Sequence, residues 1–354
     1  CIIIHAPHFE SCFPILATLH DRGDINVIPL VNNRLKKTEP NIIQAFKNTG
    51  LKPKFRSRLR LELLSFFEIK RADAILSYGD PLALPEKFRM RDHYLVASQT
   101  PSIFVQHGLM QEGINIDWLG LTKKWYSSKL LWWEDYVPAN CPFLTEETGS
   151  RIQKVGFIKK NYIPPQSFSS DLMRFINSFQ KTLLICTTIP GHEDRFNDEN
   201  LAKTYKMFDN FCSQNPKILM LLRPHRGKQD HRGKNLDATL VAKHNNVLVM
   251  DRYEGPFAYT NIHDSLAISD IVLCHAGSVA LDAVYANLPM ALLHNDWQTF
   301  RHFPQVSDLK SLQWFADNAD TIDITNNKSR KHFGELDSNL AIAAGHIEKM
   351  VNSL

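Results

Sequence analysis

Five short apolar runs, at residues 182–187, 217–222, 246–250, 271–274 and 289–293, recur through the second half of the chain with helix-length segments between them. Each is too short for a buried helix and rich in Leu, Ile and Val, which reads as a strand covered on both faces. Strands separated by helices pair through crossovers rather than hairpins, so they form a parallel sheet in a doubly wound domain. The first half repeats the rhythm less regularly. Strand-like runs lie at 1–4, 25–30, 74–78 and 102–105, with a helical stretch near 10–20 and a basic amphipathic region over 54–70.

At 354 residues the chain exceeds what one compact α/β core uses, and two Rossmann-like domains are expected. The Pro-rich polar stretch 159–167, centred on Pro164 and Pro165, marks the handover between them. An N-terminal domain over 1–165 and a C-terminal domain over 166–336 follow. Within 337–354, Leu340, Ile342, Ala343, Ile347 and Val351 recur at helical spacing, predicting a last helix that packs back on a sheet.

Apolar residues make up 44% of the chain and charged ones 22%, which excludes a disordered chain. The net charge of +4 is too small to indicate nucleic acid, and fits anionic ligands or an anionic membrane surface. No apolar run spans a bilayer and no signal-peptide pattern opens the chain, so a cytoplasmic protein is expected, with peripheral contact at the inner membrane face as an option. The opening at Cys1 without a Met reads as a truncated start. Six cysteines lack C-x-x-C spacing, and Cys186 and Cys274 sit inside apolar runs, which suits reduced, buried thiols.

Ligands of open α/β sheets bind beyond the carboxyl ends of the strands, so residues just after a strand are the site candidates. The run 271–274 leads into His275, Ala276, Gly277 and Ser278 and then a helix bearing Asp282, with Ser278 the expected N-cap. A helix N-terminus offers backbone N–H groups and partial positive charge to a phosphate, although an ordinary capped helix reads the same way. The run 217–222 ends in Arg223, Pro224 and His225, a cationic cluster suited to phosphate oxygens or to a solvated basic loop. In the first half, Gln106, His107 and Gly108 follow a strand, where His107 or nearby Glu112 could take a proton from an acceptor hydroxyl. After 182–187, His192, Glu193 and Asp194 offer a further acid, base or nucleophile.

Taken in order, these motifs resemble the GT-B transferases of bacterial surface polymers that use cytidine-nucleotide donors. One branch is the teichoic-acid glycerophosphotransferases; the other is the Kdo and sialic-acid transferases of capsules and O-antigens in lipopolysaccharide. Gln106-His107-Gly108 is similar to the His-Gly motif of the first and the Gln-Gly motif of the second, and Arg223-Pro224-His225 to the His-Pro region of both. Ser278 to Asp282 with Asn287-Leu288-Pro289 resembles their donor-binding helix and the strand entry after it. Arg226 follows His225 where a Pro would stand, so the donor stays open between the branches.

The resemblance implies a glycosyltransferase passing a Kdo- or sialic-acid-like sugar from a CMP-linked donor to an oligosaccharide or lipid-linked glycan. The alternatives are a glycerophosphotransferase using a CDP-linked donor and a non-hydrolysing epimerase of nucleotide sugars. It implies that His107 is the base, that Arg223, His225 and Ser278 hold donor phosphate, and that Asp194 could act at the anomeric centre. No Asp-x-Asp motif occurs and the cationic strand ends could replace a divalent ion, so neither metal nor cofactor is expected.

Overall fold

The computed structural model describes residues 1–63, 65–77, 97–109, 111, 113–116, 125–187, 198–224, 231–251, 253–293, 302–322 and 328–353. It divides into two compact units, residues 1–164 with 332–354, and residues 165–331.

The first unit holds strands β1 (Ile2–Ile3), β2 (Leu30–Asn32), β3 (Lys54–Arg56), β4 (Ile75–Ser77), β5 (Ser102–Val105), β6 (Lys129–Trp132) and β7 (Ile152–Lys154). All paired neighbours are parallel. They form two parallel sheets, β1-β2-β3 and β4-β5-β6-β7, with β1 lying near β4 and β3 at an outer edge. Ile2, Ile4, Leu30 and Ile75 pack with Leu61 and Ile69 from the covering helices. Phe104, Leu130 and Trp132 form a second cluster with Trp125. The strand expected over 25–30 begins only at Leu30. Pro29 has no N–H to give, and the ladder opens with Leu30 N–H donating to the Cys1 carbonyl at 2.8 Å.

The second unit holds β8 (Lys181–Cys186), β9 (Ile218–Arg223), β10 (Val247–Val249), β11 (Ile271–His275), β12 (Met290–Leu293) and β13 (Gln305–Val306). Its parallel sheet runs β10-β9-β8-β11-β12-β13, which is the 3-2-1-4-5-6 order of a Rossmann fold. The fully buried Leu183, Ile185, Met220 and Leu273 pack with Phe208 and Phe211 from the helix Asp198–Gln214 and Phe315 from Leu309–Asn318. Continuous apolar strands are what a sheet covered on both faces demands.

The chain re-enters the first unit at His332, five residues before the expected 337. The closing helix spans Leu336–Val351 and packs against the helix Ala6–Arg22. Arg22 reaches across with Nη1 to Glu348 Oε2 at 2.8 Å and Nη2 to the Ala341 carbonyl at 3.2 Å. Ile342, expected in the buried stripe, is 47% exposed, whereas Leu340, Ala343 and Ile347 are buried.

Asn339 fastens this return. Its buried Nδ2 donates to the Phe157 carbonyl at 2.8 Å and the Phe333 carbonyl at 2.6 Å. Gly156 makes the approach possible. Its φ is +76°, and a Cβ there would collide with the Phe333 carbonyl and the Asn339 amide. Gly156→Ala is therefore expected to cost about 3 kcal/mol, and Asn339→Ala about 2 kcal/mol by removing two buried hydrogen bonds, both read by urea unfolding.

Candidate functional sites at the strand ends

In each unit the strand ends carry chemistry of their own. In the second unit, register aligns Arg223 of β9 with Cys186 of β8, and Cys186 with Cys274 of β11. β8 and β11 are the neighbours at which the strand order reverses, the place where open α/β sheets take ligands. Beyond β11 the chain passes through Ala276 and Gly277 into the helix Ser278–Tyr285. Gly277 is the N-cap in extended conformation and Ser278 the first helical residue, so the helix begins one position earlier than expected. The offset keeps the Ser278 hydroxyl at the helix mouth but leaves the cap without a side chain. A Cβ on Gly277 would have the His275 carbonyl at 3.7 Å as its nearest neighbour, so the backbone here is open to approach. A helix N-terminus leaves first-turn N–H groups without i−4 partners, which is what an anion site requires.

Arg223 proves to be the last residue of β9 and is only 8% exposed. Its Nη1 donates to Ser265 Oγ at 2.8 Å and its Nη2 to the Thr260 carbonyl at 3.3 Å. It thereby secures the start of the helix Ile262–Ala267, where Asn261 and Asp264 form a reciprocal capping box. Asp282, one turn into the helix Ser278–Tyr285, is 4% exposed, and His275 is 7% exposed at the end of β11. Burial pushes the Cys186 thiol up to about 12, with Arg223 pulling it down and Asp282 pushing it further up. Burial, Cys186 and Asp282 raise Cys274 as well. The two thiols are neutral packing groups, and Arg223 and Asp282 are opposite charges set around them.

Past the helix Ser278–Tyr285, Asn287 adopts φ +57°, a left-handed conformation that Asn tolerates better than most residues. Its Oδ1 accepts from Arg330 Nη1 at 2.8 Å, and Pro289 then leads into β12. The Asn287-Leu288-Pro289 motif is thus a helix stop that places the next strand.

In the first unit, His107 follows β5 and keeps part of its surface accessible. Dense surroundings hold its pKa well below the usual imidazole value, with Lys159 and His8 adding repulsion. The ring is therefore neutral at physiological pH. His5 packs edge-on against His8 at 5.4 Å between centroids, and Lys159 Nζ stands 5.9 Å from the centroid of the Trp133 ring. Gln106, buried to 1% exposure, braces the segment: its Oε1 accepts from Trp133 N–H at 2.6 Å and its Nε2 donates to the Gly108 carbonyl at 2.9 Å. Gln106 thereby ties the turn at Gly108 to the neighbouring strand. Sequence reasoning missed His8, Lys159 and the role of Gln106. The signal available for Gln106 was an uncharged polar residue inside an otherwise apolar strand end.

Glu112, Asp194 and His225 lie outside the described residues. Among the described residues, no group of three or more His, Cys, Asp or Glu is placed to hold a metal ion.

No family model matches the chain, and no curated protein matches it. Solved structures do. MnaA of S. aureus, in a co-structure with UDP, superposes with TM-score 0.66 at 12% identity, over 100% of this chain and 96% of that one. The UDP-GlcNAc 2-epimerase of Neisseria meningitidis, bound to UDP-GlcNAc, gives 0.63 at 10% identity over 98% of each chain. The wall teichoic acid polymerase TagF, in a variant soaked with CDPG, gives 0.53 at 14% identity over 99% of this chain and 87% of that one. The chain therefore has the two-domain Rossmann-type GT-B fold of the nucleotide-sugar epimerases and of TagF. At these identities the likeness is one of fold.

Two measurements test the site chemistry. Because folded His107 resists protonation, the unfolded chain gains a proton below about pH 6.5 that the folded chain does not, and stability falls there by up to 1.4 kcal/mol per pH unit. Thermal midpoints between pH 7.5 and 5.5 should accordingly drop more steeply in the wild type than in His107→Gln. Arg223→Ala should cost about 2 kcal/mol or more in urea unfolding by removing the buried donors to the Thr260 carbonyl and to Ser265 Oγ, a loss present with no ligand added.

Proposed function

We propose that the chain is an enzyme acting on a nucleoside-diphosphate-linked substrate, transferring its activated sugar or polyol-phosphate group to a hydroxyl acceptor. The observation that carries this reading is His107, an accessible imidazole kept neutral beside Lys159 and His8 at a strand end. A neutral ring is ready to take the acceptor's proton as the hydroxyl attacks. In this reading the helix mouth at Gly277 and Ser278 holds the nucleotide phosphates, backbone N–H groups and the Ser278 hydroxyl meeting the charge that develops as the bond to the leaving nucleotide breaks. Arg223 contributes by fixing the Thr260 to Ser265 corner and by its field.

A diphosphate is preferred over the CMP donor first expected, because MnaA, the N. meningitidis epimerase and TagF are described with UDP, UDP-GlcNAc and CDPG. Nothing in those neighbours supports a Kdo or sialic-acid donor, and a CDP-linked polyol of the teichoic-acid kind is the donor we favour. The epimerase reading is the runner-up, favoured by the higher TM-scores of MnaA and the N. meningitidis enzyme over nearly whole chains. The two readings part on whether an acceptor is needed.

The test is incubation of the protein with CDP-glycerol and a hydroxyl-terminated polyol-phosphate acceptor, and separately with UDP-GlcNAc alone. Acceptor-dependent release of CMP supports transfer. Interconversion of UDP-GlcNAc with its 2-epimer in the absence of acceptor replaces that reading with the epimerase. His107→Ala is expected to lower kcat by about 100- to 10,000-fold while CDP still raises the thermal midpoint as in the wild type. The acid limb of kcat/KM should lie below pH 6.5, and Lys159→Met should move it upward by removing a charge that opposes protonation of His107.

A further inference from the structure

Residues 52–71 carry seven cations against two carboxylates, so this stretch alone holds more positive charge than the +4 of the whole chain. The structure folds it as the edge strand β3 followed by the helices Arg58–Leu63 and Ser65–Lys70. Leu61, Ser65 and Ile69 recur every four residues and are buried, which fixes the inner face. Off that stripe stand Leu59, 67% exposed, and Phe67, 63% exposed, the two most exposed large apolar side chains among the described residues. Arg58, Arg60 and Lys70 are exposed around them.

Glu68 does not offset this charge freely, because its Oε1 accepts from Arg56 Nη2 at 2.9 Å. The same bond ties the second helix to the edge strand. Lys36 adds a further cation, its Nζ 4.0 Å from the centroid of the Phe55 ring on β3. Trp125, Trp132 and Trp133 belong to the interior, each at most 5% exposed, and offer no membrane contact. Lys123 and Lys124 lie outside the described residues. Among the described residues no helix is long and apolar enough to cross a membrane.

We propose that this face docks on the surface of an anionic lipid bilayer, Leu59 and Phe67 entering the headgroup boundary while the surrounding arginines and lysines meet lipid phosphates. A bilayer accepts both halves of the pattern, since apolar side chains gain by leaving water and each cation near an anionic surface adds attraction. A second copy of the chain fits worse, because a two-fold contact would set cations against cations. Nucleic acid would explain the cations and a stacking Phe67 but leaves the aliphatic Leu59 exposed without a role.

The test is co-sedimentation of the protein with vesicles of phosphatidylcholine, with and without one-third phosphatidylglycerol. Binding to the anionic vesicles, weakened by raising salt from about 0.05 to 0.5 M, is expected. Arg58→Gln with Arg60→Gln should weaken it by about 30-fold, and Leu59→Ser with Phe67→Ser by about tenfold or more, with unfolding curves unchanged because these side chains are exposed. Equal partition onto both vesicle types, or partition that either double variant leaves intact, overturns the proposal. So does a finding that the variants abolish self-association or oligonucleotide binding while the wild type ignores vesicles.

Discussion

In a sheet whose strands are all parallel, every carboxyl end falls on one edge, and both units of this protein obey that constraint. A right-handed crossover between parallel strands leaves little freedom in where the chain returns. Once the second unit commits to the order β10-β9-β8-β11-β12-β13, the gap between β8 and β11 is the one place along its edge where successive crossovers leave in opposite directions. Arg223, Cys186 and Cys274 are brought level there by register alone. The helix Ser278–Tyr285 then leaves the same edge with its N-terminus at the gap. The concentration of polar chemistry at that point follows from topology before any side chain is chosen.

The sequence disclosed this topology because the strands of a doubly covered sheet must be apolar throughout, and such runs stand out. β5 coincides with the run read at 102–105, and in the second half the strand runs agree to within a residue or two. Legibility failed where the pattern weakens. β7 alternates Ile152 with Gln153 and Lys154 at a sheet edge, and β2 was misplaced because Pro29 shifts the first ladder bond to Leu30. Among the candidate residues, His107, His275, Gly277, Ser278 and Asp282 all fall at strand ends or one helical turn beyond them. Their individual duties were less legible, because a duty depends on partners distant in sequence. Arg223 illustrates this. Nothing adjacent to it reveals that Thr260 and Ser265, some 40 residues away, take its donors.

Arg223 and Asp282 also show why a site can be pre-charged without being exposed. Both are nearly buried, and both act on the thiol of Cys186. A buried guanidinium that already satisfies several hydrogen bonds has little to gain by moving toward a ligand. What it offers is a fixed field at a low-dielectric edge, where a charge is worth more than the same charge on a solvated loop. Asp282 moderates that field. An uncharged cap such as Gly277 leaves the helix's N-terminal dipole unscreened.

In the first unit the same physics keeps the His107 imidazole unprotonated. An imidazole in water is partly protonated near neutral pH, and a protonated ring cannot serve as a base. Here desolvation, Lys159 and His8 all push in the same direction, so no single interaction needs to be large. The cost is borne by the fold, since a desolvated ring and a nearby cation must be held together. Gln106 supplies part of that restraint by bonding the Trp133 backbone on one side and Gly108 on the other. A backbone turn braced by an uncharged amide leaves the electrostatics of His107 to its neighbours, whereas a carboxylate in the same position would raise the ring's affinity for a proton and undo the arrangement.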